Sequence, residues 1–422
     1  MRIAIVGAGH VGAVTGACLA EMGHSVVLVD RDERVRERLV RGEAPFFEPG
    51  LGAMIRGNRP RLETTADLAT AVGNSRMTFL CVGTPSNRGG EADLSAVRAA
   101  SAAIGEGLSG TSGPRTVVVK STVPPGTTAE VVRPAVEAGS GRSAADGLSV
   151  VMNPEFLREG SAVRDFFLPD RIVIGADDPA GAEALEALYR PFSCPRVRCT
   201  TATAEMVKYA SNAFLAVRVS CANEIGILCK SLGIDAHEVL GAVGLDGRIG
   251  PRFLGAGLGF GGSCFPKDVR ALVALAGSLG CGARLLSAAL EVNDRQPAAL
   301  LDLLEKRVGI AGRRIGVLGL AFKPGIDDVR ESRAIPVVQG LLDRGARVVA
   351  HDPMAMEQFR QVHPGIEYAA SAAEVVSGTD ATVIVTEWPE FEGIDYSGRI
   401  VVDGRRCRRA EETAAVYEGI CW

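Results

Sequence analysis

The sequence lacks several features, and each absence excludes a class of protein. Neither sign of charge dominates: 46 basic against 50 acidic residues leave a net charge of −4. That gives no footprint for nucleic acid or an anionic membrane. The short run Arg405-Arg406-Cys407-Arg408-Arg409 reads as a solvated or phosphate-facing loop. The ten cysteines are scattered, with no Cys-x-x-Cys pair and no His/Cys cluster. This excludes a zinc site and a disulfide framework, so no metal is expected and the thiols read as reduced. No apolar run reads as long enough to span a bilayer. Met1-Arg2 passes straight into strand-like sequence with no leader pattern. A cytoplasmic protein with no nucleic-acid or membrane partner is the expectation.

The remainder is ordinary for a soluble enzyme, with 47% hydrophobic and 23% charged residues. A chain of 422 residues exceeds one core and implies two or three domains. Arg2 to Val6 reads as a strand. Gly7-Ala8-Gly9-His10-Val11-Gly12 follows, then a helix to Met22 and a second strand, Ser25 to Val29, ending at Asp30. Strand, G-x-G-x-x-G, helix, strand and acid is the dinucleotide-binding order. The glycines admit the pyrophosphate, the helix N-terminus favours its charge, and the acid takes a ribose hydroxyl. An acid at that strand end favours NAD over NADP, although Arg31 follows it directly. Thr78 to Val82 and Thr116 to Lys120 read as further strands. They place Thr84 and Thr122 at carboxyl ends, where the crevice of a parallel sheet lies.

Further along, Glu155 and Glu159 are spaced to share a face of a helical turn, where paired carboxylates can hold a water. Arg171 to Gly175 reads as the closing strand of the first domain. Ala202 to Leu232 then reads as one long helix with Lys208 and Asn212 one turn apart, a cation and an amide donor suited to an oxyanion. The stretch Gly259-Phe260-Gly261-Gly262-Ser263-Cys264-Phe265-Pro266-Lys267-Asp268 sets a thiol at a glycine-rich turn before a helix. That is where a thiolate is favoured, so Cys264 is the candidate nucleophile. From Arg314 onward strands and helices alternate again, without G-x-G-x-x-G. This half is expected to bind something other than a dinucleotide, with Lys323, Arg330 and Arg405 near strand ends.

The motifs GAGHVG, FFEPGL (from Phe46), CVGTPS, KSTVPPGT, NPEFLREGSA, EMVKYASNAF, GFGGSCFPKD, FKPGIDDVRES and DGRR together resemble the UDP-glucose/GDP-mannose dehydrogenase family over essentially the full length. The resemblance implies an α/β fold of three parts. These are an N-terminal NAD-binding Rossmann domain (1–199), an all-α middle domain with a long central helix (200–308) and a C-terminal Rossmann-like α/β domain for the nucleotide sugar (309–422). It implies oxidation of the C6 alcohol of a nucleotide sugar to the acid with two NAD, through a Cys264 thiohemiacetal and thioester. Lys208 and Asn212 would stabilise the oxyanion. Asp268, Thr122, Glu155 and Glu159 would serve water and proton transfer. On the cofactor side the match gives Gly7, Gly9, His10, Val11, Gly12, Asp30, Thr84, Thr122, Glu159 and Arg330. On the sugar-nucleotide side it gives Glu155, Phe156, Leu157, Arg158, Lys208, Asn212, Phe253, Gly261, Phe322, Lys323 and Arg405, with Arg248 reaching into a partner's site in a homodimer formed through the middle domain. Of five histidines only His10 falls in these motifs, which disfavours a histidine-based mechanism.

Two departures stand out. Many members carry Lys or Arg five residues after the ribose acid, where this chain has Val35; Arg34 is adjacent. The substrate motifs are also mixed. NPEFLREGSA and DGRIG look like UDP-glucose members, PSNRGGEADL and the ending EGICW more like GDP-mannose members. The loops expected at the sugar favour UDP-glucose, with dTDP-glucose and GDP-mannose as alternatives. A two-electron hydroxyacid dehydrogenase, or an idle nucleotide-binding scaffold, would have no use for Cys264.

Overall fold

The computed structural model describes all 422 residues, Met1 to Trp422. The chain divides into two compact units, Met1–Ser211 and Asn212–Trp422.

The first unit is built on eight strands: β1 Arg2–Val6, β2 Ser25–Val29, β3 Leu62–Thr65, β4 Met77–Leu80, β5 Arg115–Val119, β6 Leu148–Met152, β7 Ile172–Gly175 and β8 Arg196–Cys199. Their order is β3-β2-β1-β4-β5-β6-β7-β8. All pairings are parallel except β6 with β7, which meet antiparallel at Met152 and Gly175. Strands such as Ile-Ala-Ile-Val are apolar at every position because both faces are covered. Ile3, Ile5, Val26 and Leu28 enter one core, and Ala4, Val6, Val27 and Val29 the other. Strand order reverses at β1, which has β2 on one side and β4 on the other. This opens the crevice at the carboxyl ends of these two strands. Helix α1, His10–Glu21, starts there, and a short helix α2, Ala162–Phe167, lies between β6 and β7. The expectation that Arg171–Gly175 closes this sheet is corrected: β8 lies outside it. Its Arg-Val-Arg-Cys sequence is mostly exposed, as an edge strand that carries charge must be, so no apolar run announces it.

The long helix α3, Thr201–Leu232, is continuous, and the boundary between the units falls within it. Contrary to expectation, α3 meets the length and apolarity of a membrane span, with mean hydropathy 1.2 and 44% burial over its most apolar stretch. It also buries the charged Glu205 and Lys208. In the second unit, α4 (Phe265–Ser278) and α5 (Arg284–Val308) precede six parallel strands. These are β9 Arg314–Leu318, β10 Arg347–His351, β11 Glu367–Tyr368, β12 Ala381–Ile384, β13 Ile400–Asp403 and β14 Val416–Gly419. Their order, β11-β10-β9-β12-β13-β14, repeats that of the first six strands of the other sheet.

Candidate active site

In the first unit the loop after β1 turns on glycines for a steric reason: a Cβ on Gly12 would overlap the carbonyl of Gly7. Gly7 and Gly9 form the turn, and His10, Val11 and Gly12 form the first turn of α1. The Asp30 carboxylate, at the end of β2, accepts from Ala8 N at 2.7 Å and Asp32 N at 2.9 Å. The ribose acid is thus tied to the glycine loop. Val35 packs against the apolar core. One turn beyond Asp32, Arg36 Nη1 donates to the Asp30 carbonyl at 2.9 Å. At the ends of β4 and β5 the Thr84 hydroxyl donates to the Thr122 carbonyl at 2.8 Å, bringing these two residues together as expected.

Residues 153–160 correct one expectation, since they form no helix. Carboxylates take the N–H groups that a helix would use. Glu155 accepts from Leu157 N, Asp165 from Arg158 N, and Glu48 from Gly160 N. Glu155 and Glu159 therefore do not share a helical face. Glu155 is buried, 2.9 Å from the Lys208 ammonium. Burial pushes its acidity down, but Lys208 and the Leu157 N–H outweigh this and hold the carboxyl below its usual range. Phe156 lies under two cations, with Arg171 3.9 Å and Lys208 5.6 Å from its ring centre. Leu157 joins the apolar core, and Arg158 is exposed and paired with Asp165.

In the second unit Cys264 stands at the position just before α4, with the Ser263 hydroxyl 3.6 Å from its sulfur. Asp268, one turn into α4, is 1% exposed. Its carboxylate accepts from Asn212 Nδ2 and from Lys267 Nζ, each at 2.6 Å. The preceding loop is held on several sides. Asn293 of α5 accepts from Phe260 N at 2.7 Å and donates to Phe260 O at 3.1 Å. Gly262 N donates to Arg330 O at 3.1 Å. Gly262 has φ +86°, and a Cβ there would lie 2.8 Å from the Phe322 ring. Gly261 packs as closely on the Glu331 carbonyl.

The remaining expected sugar-nucleotide residues of this unit spread over several loops. Phe253 adopts φ +62°, a strained conformation for a phenylalanine, with its ring 6.2 Å from that of Phe265. The Lys323 ammonium stands 5.8 Å from the ring centre of Phe322. Arg405 donates to the Val385 carbonyl at 2.8 Å and pairs with Glu387. Arg330 is gripped by Asp328. Arg248 pairs with Asp246 in a loop fastened to α3 by Arg218, and its side chain is 89% exposed.

Several residues that hold this machinery have no role in the sequence reading, although Lys120, Glu205 and Asp403 each open one of its motifs. Asn293 sits in an ordinary-looking helix. Glu205, within α3, accepts from Gly126 N, Thr128 N and the Thr128 hydroxyl, fixing the loop after Thr122. Lys120 is buried and donates to Asn153 Oδ1 at 2.8 Å, and burial lowers its pKa to about 8. Asp403, at the end of β13, accepts from the backbone N–H groups of Arg405, Arg406 and Cys407 and from the Tyr417 hydroxyl. Burial pushes its carboxyl up to about 6 despite these bonds.

A glycine cradle tied to a carboxylate at the switch point of a parallel sheet defines a dinucleotide-binding protein. Models of three domains match in succession: the NAD binding domain of the UDP-glucose/GDP-mannose dehydrogenase family over residues 1–193, its central domain over 202–295 and its UDP binding domain over 316–410. The chain is 48% identical to the UDP-glucose 6-dehydrogenase AglM of Haloferax volcanii, covering 96% of this chain and 97% of the relative. It is 46% identical to a UDP-glucose 6-dehydrogenase of Rhizobium meliloti, covering 98% and 97%. The solved structure of a UDP-glucose dehydrogenase from Pyrobaculum islandicum superposes with a TM-score of 0.97 at 46% identity, covering 100% of this chain and 98% of that one. The chain belongs to the UDP-glucose/GDP-mannose dehydrogenase family. It is an NAD-dependent nucleotide-sugar dehydrogenase.

Proposed function

We propose that the protein oxidises the C6 alcohol of UDP-glucose to the carboxylate of UDP-glucuronate, through a covalent intermediate on Cys264. The observation that carries the chemistry is the thiol at the N-terminus of α4, one turn before a buried carboxylate held by Asn212 and Lys267. The names of the near-full-length relatives support the substrate. The glycine cradle and Asp30 fit NAD, which when bound supplies the acceptor for both hydrides.

An alcohol can lose one hydride to become an aldehyde, but a second hydride needs a tetrahedral carbon to leave from. The Cys264 sulfur supplies it: the C–S bond forms as the thiol proton departs, giving a thiohemiacetal. Loss of hydride from that carbon gives a thioester. Water adds, the C–S bond breaks, and the carboxylate and thiol are released. Lys208 and Asn212 lie one turn apart on the unbroken α3 and are assigned the oxyanion that develops in these steps. Asp268, Thr122, Glu155 and Glu159 are assigned to water placement and proton transfer. Glu155 lies 2.9 Å from the Lys208 ammonium, which holds its carboxyl below the usual range. Gly7 to Gly12, Asp30, Thr84, Thr122, Glu159 and Arg330 are assigned to the cofactor. Phe156 to Arg158, Phe253, Gly261, Phe322, Lys323 and Arg405 are assigned to the sugar nucleotide.

Residues 1–199, 200–308 and 309–422 are proposed as the functional modules, in a cytoplasmic homodimer formed through the middle one. Support for the dimer is a stripe of exposed residues on α3 at heptad spacing, Phe214, Cys221 and Leu228. The outward Arg248 suits a residue that completes a partner's site.

NADH formation with UDP-glucose, dTDP-glucose and GDP-mannose in parallel tests the substrate. Turnover of UDP-glucose well above the other two is expected. Turnover of GDP-mannose alone would keep the chemistry and overturn the nucleotide.

A further inference from the structure

Glu48 lies in the FFEPGL stretch, to which the chemistry above gives no role, yet its side chain is fully buried and fully engaged. Oε1 accepts from Ala162 N at 2.8 Å. Oε2 accepts from Gly160 N at 2.8 Å and lies 3.2 Å from His10 Nε2. The His10 ring packs on Phe46, two residues before Glu48, with centres 4.6 Å apart. His10 belongs to the first turn of α1, beside the glycine cradle, and Gly160 directly follows Glu159. One carboxylate therefore joins two segments far apart in sequence, each carrying a residue assigned to the cofactor. No lysine or arginine pairs with it. Two backbone N–H groups and the His10 ring nitrogen converge on its oxygens, and these offset the cost of burying a polar group. Since a backbone N–H donates to each oxygen, an amide of the same shape would turn an NH₂ group toward an N–H.

We propose that Glu48 is a positioning residue for NAD. It fixes the His10 side of the glycine cradle and the Glu159 turn in one arrangement, and so sets cofactor affinity through them. The proposal rests on the assignment of His10 and Glu159 to the cofactor.

The test is a fluorescence titration of NADH into the full-length protein, for wild type, Glu48→Gln, His10→Phe and the double variant, beside KM for UDP-glucose. His10→Phe keeps a ring on Phe46 and removes the bond to Glu48 together with any polar contact of the imidazole to the cofactor. Glu48→Gln is expected to weaken NADH binding about tenfold or more, the scale of losing a hydrogen bond to a buried charge. KM for UDP-glucose should stay within about twofold, since the sugar-side segments keep their own carboxylates. His10→Phe should weaken binding in the same direction, and the double variant should be little worse than Glu48→Gln alone. If Glu48→Gln fails to fold, His10→Phe carries the test: NADH affinity equal to wild type overturns the proposal. So does unchanged affinity in a folded Glu48→Gln, or full additivity of the two changes. A wild type that does not bind NADH would instead remove the cofactor assignment itself, and the proposal with it.

Discussion

Residue identities carried much of the candidate site. Cys264, Lys208, Asn212 and Asp268 stand out because a thiol, an ammonium, an amide and a carboxylate occur in motifs with no packing role. The structure brings Asn212 onto Asp268 and Lys208 onto Glu155. The acid pair at 155 and 159 was misread because spacing alone suggests a helical face. What decides the local conformation is which groups take the backbone N–H, and those are carboxylates as distant in sequence as Glu48. Asp403 shows the same limit: nothing in Asp-Gly-Arg-Arg says that its side chain is buried under three N–H groups. A buried carboxyl raised from its ordinary value to about 6 stabilises the fold fully below about pH 4, and that contribution is lost as pH rises through about 6. The unfolding free energy of wild type relative to Asp403→Asn is therefore expected to fall between about pH 4 and pH 7, by on the order of 3 kcal/mol. Urea unfolding of both proteins across that range checks it, and a pH-independent difference would contradict it.

At the scale of elements, the strands and helices that position the site were legible where a strand is apolar on both faces or a helix is long. Strand β8 was not, because its residues are charged and exposed at an edge. Six strands of each sheet share one order, but the carboxylates at the ends of β2 and β10 differ. Asp352, at the end of β10, corresponds to Asp30 at the end of β2. It is completely buried, accepting from Leu320 N, Ala321 N and Trp388 Nε1. Its other oxygen accepts from Met354 N and Ala355 N, so both oxygens are engaged within the fold. The Cys264 loop depends on α5 through Asn293. In Asn293→Ala the buried N–H and carbonyl of Phe260 lose their partners, a loss of about 1–3 kcal/mol. We expect a lower melting temperature and a kcat reduced at least about tenfold, with NADH affinity within about twofold of wild type. Calorimetry, steady-state kinetics and an NADH titration check this, and an unchanged kcat would show that the loop holds its shape without the clamp.

At the scale of the whole molecule, the order of α/β unit, helices and α/β unit was readable because its parts carry different periodicities. Assembly was less so, because an apolar residue on a long helix reads the same whether it faces a core or a partner. The exposed Phe214 and Leu228 on α3 support the proposed homodimer. Leu228→Glu would place a charge in each copy of a self-complementary interface, so we expect a dimer in wild type and a monomer in the variant by light scattering. Dimers in both would place the interface elsewhere. The central claim is that one active site removes four electrons with Cys264 as the covalent carrier, and the direct measurement is NADH formed per UDP-glucose consumed. The account predicts two for wild type, with no free UDP-glucuronate released by Cys264→Ser at the wild-type rate. One NADH per substrate, or a serine variant that completes both oxidations as fast as wild type, would contradict it.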